Sequence, residues 1–527
     1  MNKKLLTTCL SVFFATSAFA LASCETPEEN VTGLAFELVD GSYTVTGRGT
    51  CEDGIIEIPS TYNKKPVTAI ANNAFENDMY VGIIKLPDSV TTIGESAFSG
   101  CANLSDVEMG NGVTELGVKS FYNCGWLSTI DFSDSLVSIG SSSFYGCRRL
   151  KSIELPDSLT TIGNGAFDTC SLLADVTFGK SLEVIGEKAF YQCVKLKAIE
   201  IPDEAPTEIM ASAFEECTEV QYIYLGNSVT TIGSSAFASM KVKELVIGDG
   251  VKSIGPSAFS GCSRMYTLTL GKSVISIGDG AFTKCRAIRE IYNRSELNIV
   301  PNPEAEPTDF GEIGKNVFYV RTGNQPSKLS IDPETQVIYY INSGKKIVVG
   351  ALLEDYADIV LPDDVDEIAS RAFYNVDYVR SIDTGNGCKV IGASAFQNCY
   401  HLEKVVIGKS VKTIGSGAFY RNRVLVTVVL RSKLENGSVG ENAFWKYTRK
   451  SDGSLEKSAK EFNTLFFEGT SAEWAETKKK FTLNGNGNSN GDLIANSKVT
   501  IAYYSETAPT AGGNYWRFVD GKPTLWK

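Results

Sequence analysis

The sequence predicts a repeat solenoid, a right-handed stack of units of about 23 residues with short parallel strands and a small β-rich cap at each end. A phenylalanine returns once per repeat over long stretches, always within the pattern L-x-x-I-x-L-P-x-S-L-x-x-I-G-x-x-A-F-x-x-C. The chain of 527 residues is also too long for one compact core. A fixed period in this range indicates stacked units, none of which can bury its apolar face alone.

The recurring phenylalanines mark fourteen units in two arrays: Phe75, Phe98, Phe121, Phe144, Phe167, Phe190, Phe214, Phe237, Phe259 and Phe282, then Phe373, Phe396, Phe419 and Phe444. The step from Phe190 to Phe214 is one residue longer than the usual period, and the step from Phe237 to Phe259 is one residue shorter. These slips predict one-residue changes in surface turns. Between the arrays, Phe318 could mark a damaged repeat.

Each unit is expected to contain one strand and two turns. Residues 150–155 alternate like a half-buried strand, and stacked copies form a parallel sheet with neighbours about 4.8 Å apart. Pro156 ends the strand, and a second apolar piece at residues 160–163 turns the chain. We expect Gly163 to supply a backbone conformation that other residues resist. The predicted inward side chains are Leu150, Ile153, Leu155, Ile162, Ala166, Phe167 and Cys170.

Nine of the 13 cysteines occupy one repeat position, three residues after the phenylalanine: Cys101, Cys124, Cys147, Cys170, Cys193, Cys217, Cys262, Cys285 and Cys399. In a stack these side chains lie one per layer, whereas a metal site needs several ligands at one point. Met240, Val376 and Asn422 replace cysteine in other units. The pattern predicts buried, unpaired cysteines that act as small apolar side chains.

The N-terminus resembles a bacterial lipoprotein signal. Lys3 and Lys4 precede an apolar run over residues 5–22, and small residues then precede Cys24. On this interpretation residues 1–23 are removed and Cys24 carries a lipid that holds the exported protein at the bacterial cell surface. An ordinary secretory signal cleaved near Ala20 or Ala22 is one alternative. A membrane helix is another, although the run is short for a span.

The net charge and the sequence motifs narrow the range of functions that this protein could have. There are 62 acidic and 50 basic residues, a net charge of −12, which disfavours nucleic acid and anionic membrane surfaces. We expect the protein to contact the membrane only through the lipid anchor. The one histidine, His401, lies in a variable repeat position. The sequence contains no phosphate-binding loop, HExxH motif or CxxC motif. We expect no catalysis and no cofactor, although two carboxylates alone could support glycoside hydrolysis.

The repeat motif resembles that of the BspA-like leucine-rich repeat proteins of bacteria over approximately residues 50–445. The resemblance implies a leucine-rich repeat fold and a surface-exposed protein that works by adhesion or protein binding rather than catalysis. Residues 36–43 resemble the opening hairpin of that family. The tail, from Tyr503 to Trp526, resembles a C-terminal module found on several members.

These features predict six segments. The ends of a solenoid expose apolar edges and need caps, while Pro301, Pro303 and Pro307 interrupt the array before a new hairpin restarts it. The two arrays could therefore meet at an angle. The segments are a signal peptide at 1–23, an N-terminal cap at 24–50, a first array at 51–295, an irregular insertion and restart hairpin at 296–370, a second array at 371–445 and a C-terminal cap module at 446–527.

Outward residues of the stacked strands should form a continuous surface, because each layer adds one side chain to each column. One column passes from Glu108 to Tyr292 and its neighbour from Asp106 to Thr267, with Tyr266 one place earlier. The surface changes from acidic to tyrosine-rich. We call the following residues the candidate strip: Asp106, Glu108, Asp131, Glu154, Asp175, Glu200, Tyr222, Tyr224, Tyr266 and Tyr292.

Two interpretations of the candidate strip stay open. It is either a solvated charged face, with Lys151 and Lys197 as compensation, or a surface that binds an extracellular protein or glycan on host or neighbouring cells. A carbohydrate-active envelope enzyme is the alternative function, with its site in the irregular insertion or in the C-terminal module. There the aromatic residues Trp474, Tyr515, Trp516 and Trp526 could line a sugar site. A structural spacer is a third possibility.

Overall fold

The computed structural model describes residues 33–299, 317–322, 327–434, 438–444, 448–449, 455–456, 464–479, 481, 499–510, 513–520 and 522–526. Cys24 lies outside this part of the chain. The described residues form a β-solenoid of about 16 turns with parallel strands and little helix. The predicted fold class is therefore confirmed.

Each full turn contributes one strand to each of two faces. We call the first the long-strand face, because its strands have three to five residues in the repeats. In the first array they form parallel sheets of four, two and six strands. These strands are Ile55–Glu57, Ile83–Lys85, Asp106–Glu108, Thr129–Asp131, Ser152–Glu154, Asp175–Thr177, Ala198–Ile201, Tyr222–Leu225, Glu244–Val246, Thr267–Leu270, Glu290–Asn293 and Tyr319–Arg321.

The other face, which we call the short-strand face, consists of two-residue strands and is more continuous. It contains Thr92–Ile93, Glu115–Leu116, Ser138–Ile139, Thr161–Ile162, Val184–Ile185, Glu208–Ile209, Thr231–Ile232, Ser253–Ile254 and Ser276–Ile277. These strands extend a sheet of 13 strands that begins with Ala35–Val39, Ser42–Gly47, Thr61–Tyr62 and Lys65–Ile70. The segment expected only to turn the chain thus carries a ladder of its own.

The second array repeats this arrangement after an antiparallel segment of three strands, Leu329–Ile331, Val337–Asn342 and Lys345–Ala351. Its short-strand face contains Glu367–Ile368, Val390–Ile391, Thr413–Ile414 and Ser438–Val439. Its long-strand face contains Ala357–Val360, Val379–Asp383, Lys404–Ile407, Thr427–Leu430, Thr464–Phe467, Thr500–Tyr504, Tyr515–Val519 and Lys522–Leu525. A separate pair, Thr448–Arg449 and Leu455–Glu456, and the helix Ser471–Lys478 complete the described elements.

Strand register shows where the one-residue slips are absorbed. Val184 pairs with Glu208, one residue beyond the usual period, so the extra residue lies in the turn at 202–207. Thr231 pairs with Ser253, one residue short of the period, and the missing residue falls in the turn at Lys241. Both positions are surface turns, as predicted.

The core is a column of stacked phenylalanine rings. From Phe75 to Phe282 successive ring centroids lie 5.1–5.5 Å apart, with interplanar angles of at most 10°. The second array continues the pattern from Phe373 to Phe444 at 4.8–5.2 Å. All seven inward residues predicted for the unit at 150–170 are buried. The repeat period is thus the period of the apolar core of each array.

The repeat cysteines lie beside this column, buried and unpaired as predicted. Each thiol donates a hydrogen bond to the carbonyl of the phenylalanine one layer earlier, as Cys170 Sγ does to Phe144 O at 3.2 Å. Burial raises the pKa of the Cys101 thiol to about 12. A thiol is small enough for the column and satisfies a buried carbonyl, which explains the choice of residue.

The expected reason for glycine at position 163 is wrong. Gly163 does not have a positive φ; instead, a Cβ there would lie 2.6 Å from Ser141 N of the preceding layer, so close approach of the backbones requires glycine. Phe318 does not join the phenylalanine column. Its side chain is 37% exposed, contacts Tyr340 and directly precedes a long-strand-face strand.

The restart segment is packed against the end of the first array. Tyr266 and Ala287 form an apolar cluster with Ile338, Tyr340 and Val349 of that segment. The Arg289 side chain is buried beside this cluster and donates hydrogen bonds to Val349 O and Ala372 O. Burial lowers the pKa of Arg289 to about 10. One buried guanidinium therefore connects both arrays.

The C-terminal tryptophans are largely structural. Trp516 is fully buried against Phe466, and its Nε1 donates to Phe467 O at 3.0 Å. Trp474, on the capped helix, is buried in the core of the second array. Trp526 is half-buried, and its Nε1 donates to Ser505 O. Two of the aromatic residues proposed for a sugar site are thus packing residues.

Candidate binding face

The long-strand face exposes the candidate strip because side chains alternate along each strand. In the strand Thr129–Asp131, Ile130 is buried in the core whereas Thr129 and Asp131 face solvent. Parallel pairing then brings equivalent residues of successive layers side by side. The structure therefore assembles most of the predicted columns as continuous surface.

The acidic part of the strip is exposed. Glu108 is paired directly with Asp131 in neighbouring strands. Lys85, in the preceding layer, lies 3.7 Å from Glu108 and 3.6 Å from Glu57. Within the described ranges, neither Asp131 nor Glu154 forms an ion pair. This part of the face therefore keeps an uncompensated negative charge.

Compensation by lysine is weaker than expected. Lys197 lies 3.5 Å from Asp175, but both side chains are 66% exposed, where such a pair contributes about 0–1 kcal/mol. Lys151, the other predicted partner, makes no ion pair among the described residues. Because Asp131 and Glu154 form no ion pair and the pairs of Glu108 and Asp175 are exposed, these carboxylates are available to a partner.

A groove of about 440 Å³ lies where the acidic and tyrosine-rich parts meet. Its walls include Asp175, Phe178, Glu200, Pro202 and Tyr224. The Tyr224 hydroxyl donates to Asp203 Oδ2 at 2.6 Å, and this hydrogen bond raises the pKa of Tyr224. The groove thus combines carboxylates with an oriented aromatic ring.

Tyr222 and Tyr224 are the most exposed tyrosines of the strip, at 50% and 41%. They lie on one strand, two residues apart, so both project from the same face. Exposed tyrosines beside a groove supply apolar contact area and a hydroxyl at low entropic cost. They are the strongest candidates for anchoring contacts.

A second groove, of about 410 Å³, lies between the last layers of the first array and the restart segment. Tyr292 lines it beneath Arg321, whose guanidinium is 3.9 Å from the centre of the tyrosine ring. Arg321 Nε also lies 3.3 Å from Glu290 Oε1, and Ser327 donates to Glu290 Oε2 at 2.7 Å. Glu290 is 2% exposed. A buried charge network therefore forms the floor of this groove.

Three residues of this groove, Glu290, Arg321 and Ser327, were not predicted from the sequence. Glu290 pairs with Thr267 and therefore continues a predicted column by one layer. This extension was available from the period alone. Arg321 and Ser327 carry no repeat signal, since they lie beyond the point at which the pattern breaks.

Tyr266 does not belong to the exposed strip. Its side chain is 9% exposed within the junction cluster, and its hydroxyl donates to Glu244. Burial raises the pKa of Tyr266. The restart segment covers this residue, so it shapes the wall of the second groove rather than presenting a free ring.

His401 lies at an exposed turn. Its Nε2 is 3.2 Å from the Tyr356 hydroxyl and its Nδ1 is 3.1 Å from Asp377 O. Tyr378, 43% exposed, also contacts Tyr356. Among the described residues, no serine or cysteine side chain is hydrogen-bonded to His401, so the geometry of a nucleophile with its base is not assembled there.

The described ranges contain neither a metal-binding cluster nor a membrane-spanning helix. No three of their His, Cys, Asp or Glu side chains converge where a metal ion could bind. The helices in the same part of the chain include none that is long and apolar enough to cross a bilayer.

The fold and the repeat define this chain as a leucine-rich repeat solenoid. Residues 68–197, 183–303 and 354–473 match the family described as BspA type leucine rich repeat region (6 copies). These segments cover more than half of the sequence, and the chain belongs to this family. The predicted family resemblance is confirmed.

Several solved structures match this chain. A leucine-rich repeat protein from Bacteroides ovatus is 21% identical, with 90% of this chain and 98% of that chain covered and a TM-score of 0.45. A leucine rich cell surface protein from Faecalibacterium prausnitzii is 20% identical, with coverages of 85% and 96% and a TM-score of 0.32. The pneumococcal vaccine antigen PcpA is 16% identical, with coverages of 86% and 95% and a TM-score of 0.34. No functionally curated protein matches the sequence.

Proposed function

We propose that this protein is an adhesin-like binding protein of the bacterial cell surface, and that the candidate strip, without Tyr266, contacts an extracellular protein or glycan on host or neighbouring cells. The observation that carries the proposal is the continuity of the exposed strip with two grooves. Exposed carboxylates of the strip continue along the face to the groove beside Tyr222 and Tyr224, and both tyrosines are exposed on the same face. Neither catalysis nor a cofactor is required.

The anchor is part of the same proposal. Cys24 receives a lipid after removal of residues 1–23, which keeps the protein at the membrane while the solenoid extends from it. Metabolic labelling with a fatty-acid probe should mark the wild-type chain and not the C24A variant. Labelling that persists in C24A would contradict this assignment.

The binding test compares the wild-type protein with the E108Q/D131Q/E154Q variant on extracellular matrix proteins, mucins and bacterial cells. We expect saturable binding that weakens several-fold in the variant, because each removed charge faces the partner without a buried internal ion pair. Y222A/Y224A should cost more, since truncating an anchoring tyrosine commonly costs about 2 kcal/mol or more, roughly 30-fold in affinity.

A matched control carries the same charge change on the other face. E115Q/E183Q/E208Q removes three exposed carboxylates along the short-strand face and should leave binding unchanged. Equal losses in both triple variants would indicate a general charge effect. A large change in melting with unaltered binding would show that the strip is merely a solvated face.

A further inference from the structure

A third groove, of about 540 Å³, lies on the second array, away from the candidate strip. It lies on the edge where each long-strand-face strand turns towards the short-strand face. Three successive layers and the start of the C-terminal segment form it. Its charged lining residues are Lys389, Lys409, Lys412, Arg431, Lys433 and Glu468, and the remaining lining residues are Ser410, Val411 and Ser432.

This composition departs from the rest of the protein. Five cations and one carboxylate line the groove in a chain whose net charge is −12. Lys389 and Lys412 are stacked in adjacent layers, since Lys412 N donates to Lys389 O at 2.8 Å. Their side chains therefore start one strand spacing apart, about 4.8 Å. The groove thus presents a row of positive charge along the stack.

The turn itself does not require these lysines. Along the same edge of the first array, Asp or Asn accepts a hydrogen bond from the next layer, as Asp88 Oδ1 does from Asn111 N and Asp157 Oδ1 from Lys180 N. In the second array Asp363 still accepts from Asn386 N. Lys409 follows Asn386 in this column, and a lysine has no acceptor. Lys180 and Lys272 occupy the same column in the first array, where each is paired with the aspartate of the preceding layer, Asp157 and Asp249. Lys409 instead follows the uncharged Asn386, so no carboxylate of its own column offsets its charge.

Four of the five cations already have an acidic partner: Lys389 has Asp366, Lys409 and Arg431 share Glu468, and Lys433 has Glu473. The pairs of Lys389 and Lys409 are exposed. Lys409 lies 2.9 Å from Glu468, and Lys389 lies 2.8 Å from Asp366, but both lysines are about 60% exposed. Such pairs contribute about 0–1 kcal/mol and exchange readily. Lys412 forms no ion pair within the part of the chain that the structure describes.

Arg431 provides a second, independent observation. Its Nε is buried and has no hydrogen-bond acceptor, and the nearest carboxylate oxygen, on Glu468, is 3.7 Å away. A buried donor without an acceptor is uncommon and costly. The Arg431 guanidinium lies 3.7 Å from both Glu468 and Asp383, so its charge is only loosely paired and can still attract an anion in the groove.

We propose that this groove binds an anionic polysaccharide, one that carries sulfate or carboxylate groups. The lysines and Arg431 would hold the anionic groups, while Ser410 and Glu468 would contact sugar hydroxyls. No aromatic side chain lines the groove, so bases of a nucleic acid would find no stacking surface. Val411 is the one apolar residue in the lining and is buried, so an acidic peptide would find no apolar anchor.

The test titrates the purified full chain with heparin and with hyaluronate, which carry sulfate and carboxylate groups respectively. Heparin should bind saturably, and K389Q/K409Q/K412Q should weaken binding at least about tenfold and reduce its salt dependence. The matched control is K180Q/K195Q/K272Q, three exposed lysines of the first array that are each paired with one carboxylate. It should change the affinity less than about twofold.

Three outcomes would overturn the proposal. The first is that neither polysaccharide binds saturably. The second is that both lysine variants lose the same amount of affinity. The third is that poly-glutamate or single-stranded DNA binds as tightly as heparin and depends equally on Lys389, Lys409 and Lys412. Melting curves establish that the variants are folded. K389Q/K409Q/K412Q should still bind the matrix protein, mucin or cells that the candidate strip recognises. Such a result would separate this groove from the proposed adhesive function.

Discussion

Replacing Phe167 by alanine tests whether the ring column stabilises the solenoid. Phe167 is fully buried, and its centroid lies 5.1 Å from those of Phe144 and Phe190. Truncating a buried phenylalanine costs about 3–5 kcal/mol through lost burial and the cavity left behind. Here the strand register holds the rings on both sides, so the cavity cannot close easily. We expect a loss near the upper end of that range.

Hydrogen exchange is the first assay, because opening of a repeat array is not a single two-state step. In F167A, exchange should accelerate most in the layers around residues 144–190, and urea denaturation should start at a lower concentration. Y145A is the matched control, since Tyr145 stacks on Tyr122 at 4.9 Å but lies half-buried outside the core. Equal effects of F167A and Y145A, or a uniform rise in exchange, would refute the reasoning.

The remaining predictions concern pH, thiols and the junction. Burial raises the pKa of Asp168 to about 6. Ionisation of this carboxyl therefore destabilises the folded protein as the pH rises from about 4 to 6. D168N should raise the melting temperature at pH 7 but not at pH 4. The buried thiol of Cys101 should react with a thiol reagent only in denaturant; rapid labelling of the native protein would contradict the packing. R289M leaves Val349 O without its donor and should lower the free energy of unfolding by about 1–3 kcal/mol. Hydrogen exchange at residues 337–351 should become faster. An unchanged exchange rate there would contradict the role of Arg289.

The repeated part of the fold was predictable because one physical constraint recurs in every layer. Phe167 and Cys170 must fill the same space as their counterparts one period away, so the period reveals their burial directly. Gly163 shows the limit of this reasoning. Its position was clear from the pattern, but the reason for glycine depends on the distance between two backbones, which the sequence does not contain.

The candidate site was predictable only where it follows the period. Glu108 and Asp131 are neighbours because of register, and their columns could be written out from the sequence. Tyr266 lies one place before its strand, and the restart segment, which comes much later in the chain, covers it. Arg321 reaches Tyr292 across the same junction. Such contacts arise from how the second array is packed against the first, which no repeat position specifies.

The arrangement of single layers also makes distance along the molecule adjustable in fixed steps. Each layer contacts its neighbours, and the phenylalanine column continues through every unit from Phe75 to Phe282. Insertion of one complete repeat unit would extend the column without changing any other layer. It would separate the features on either side of the insertion by one further strand spacing, about 4.8 Å. Two surfaces on such a protein can therefore be moved relative to each other while the chemistry of each is kept.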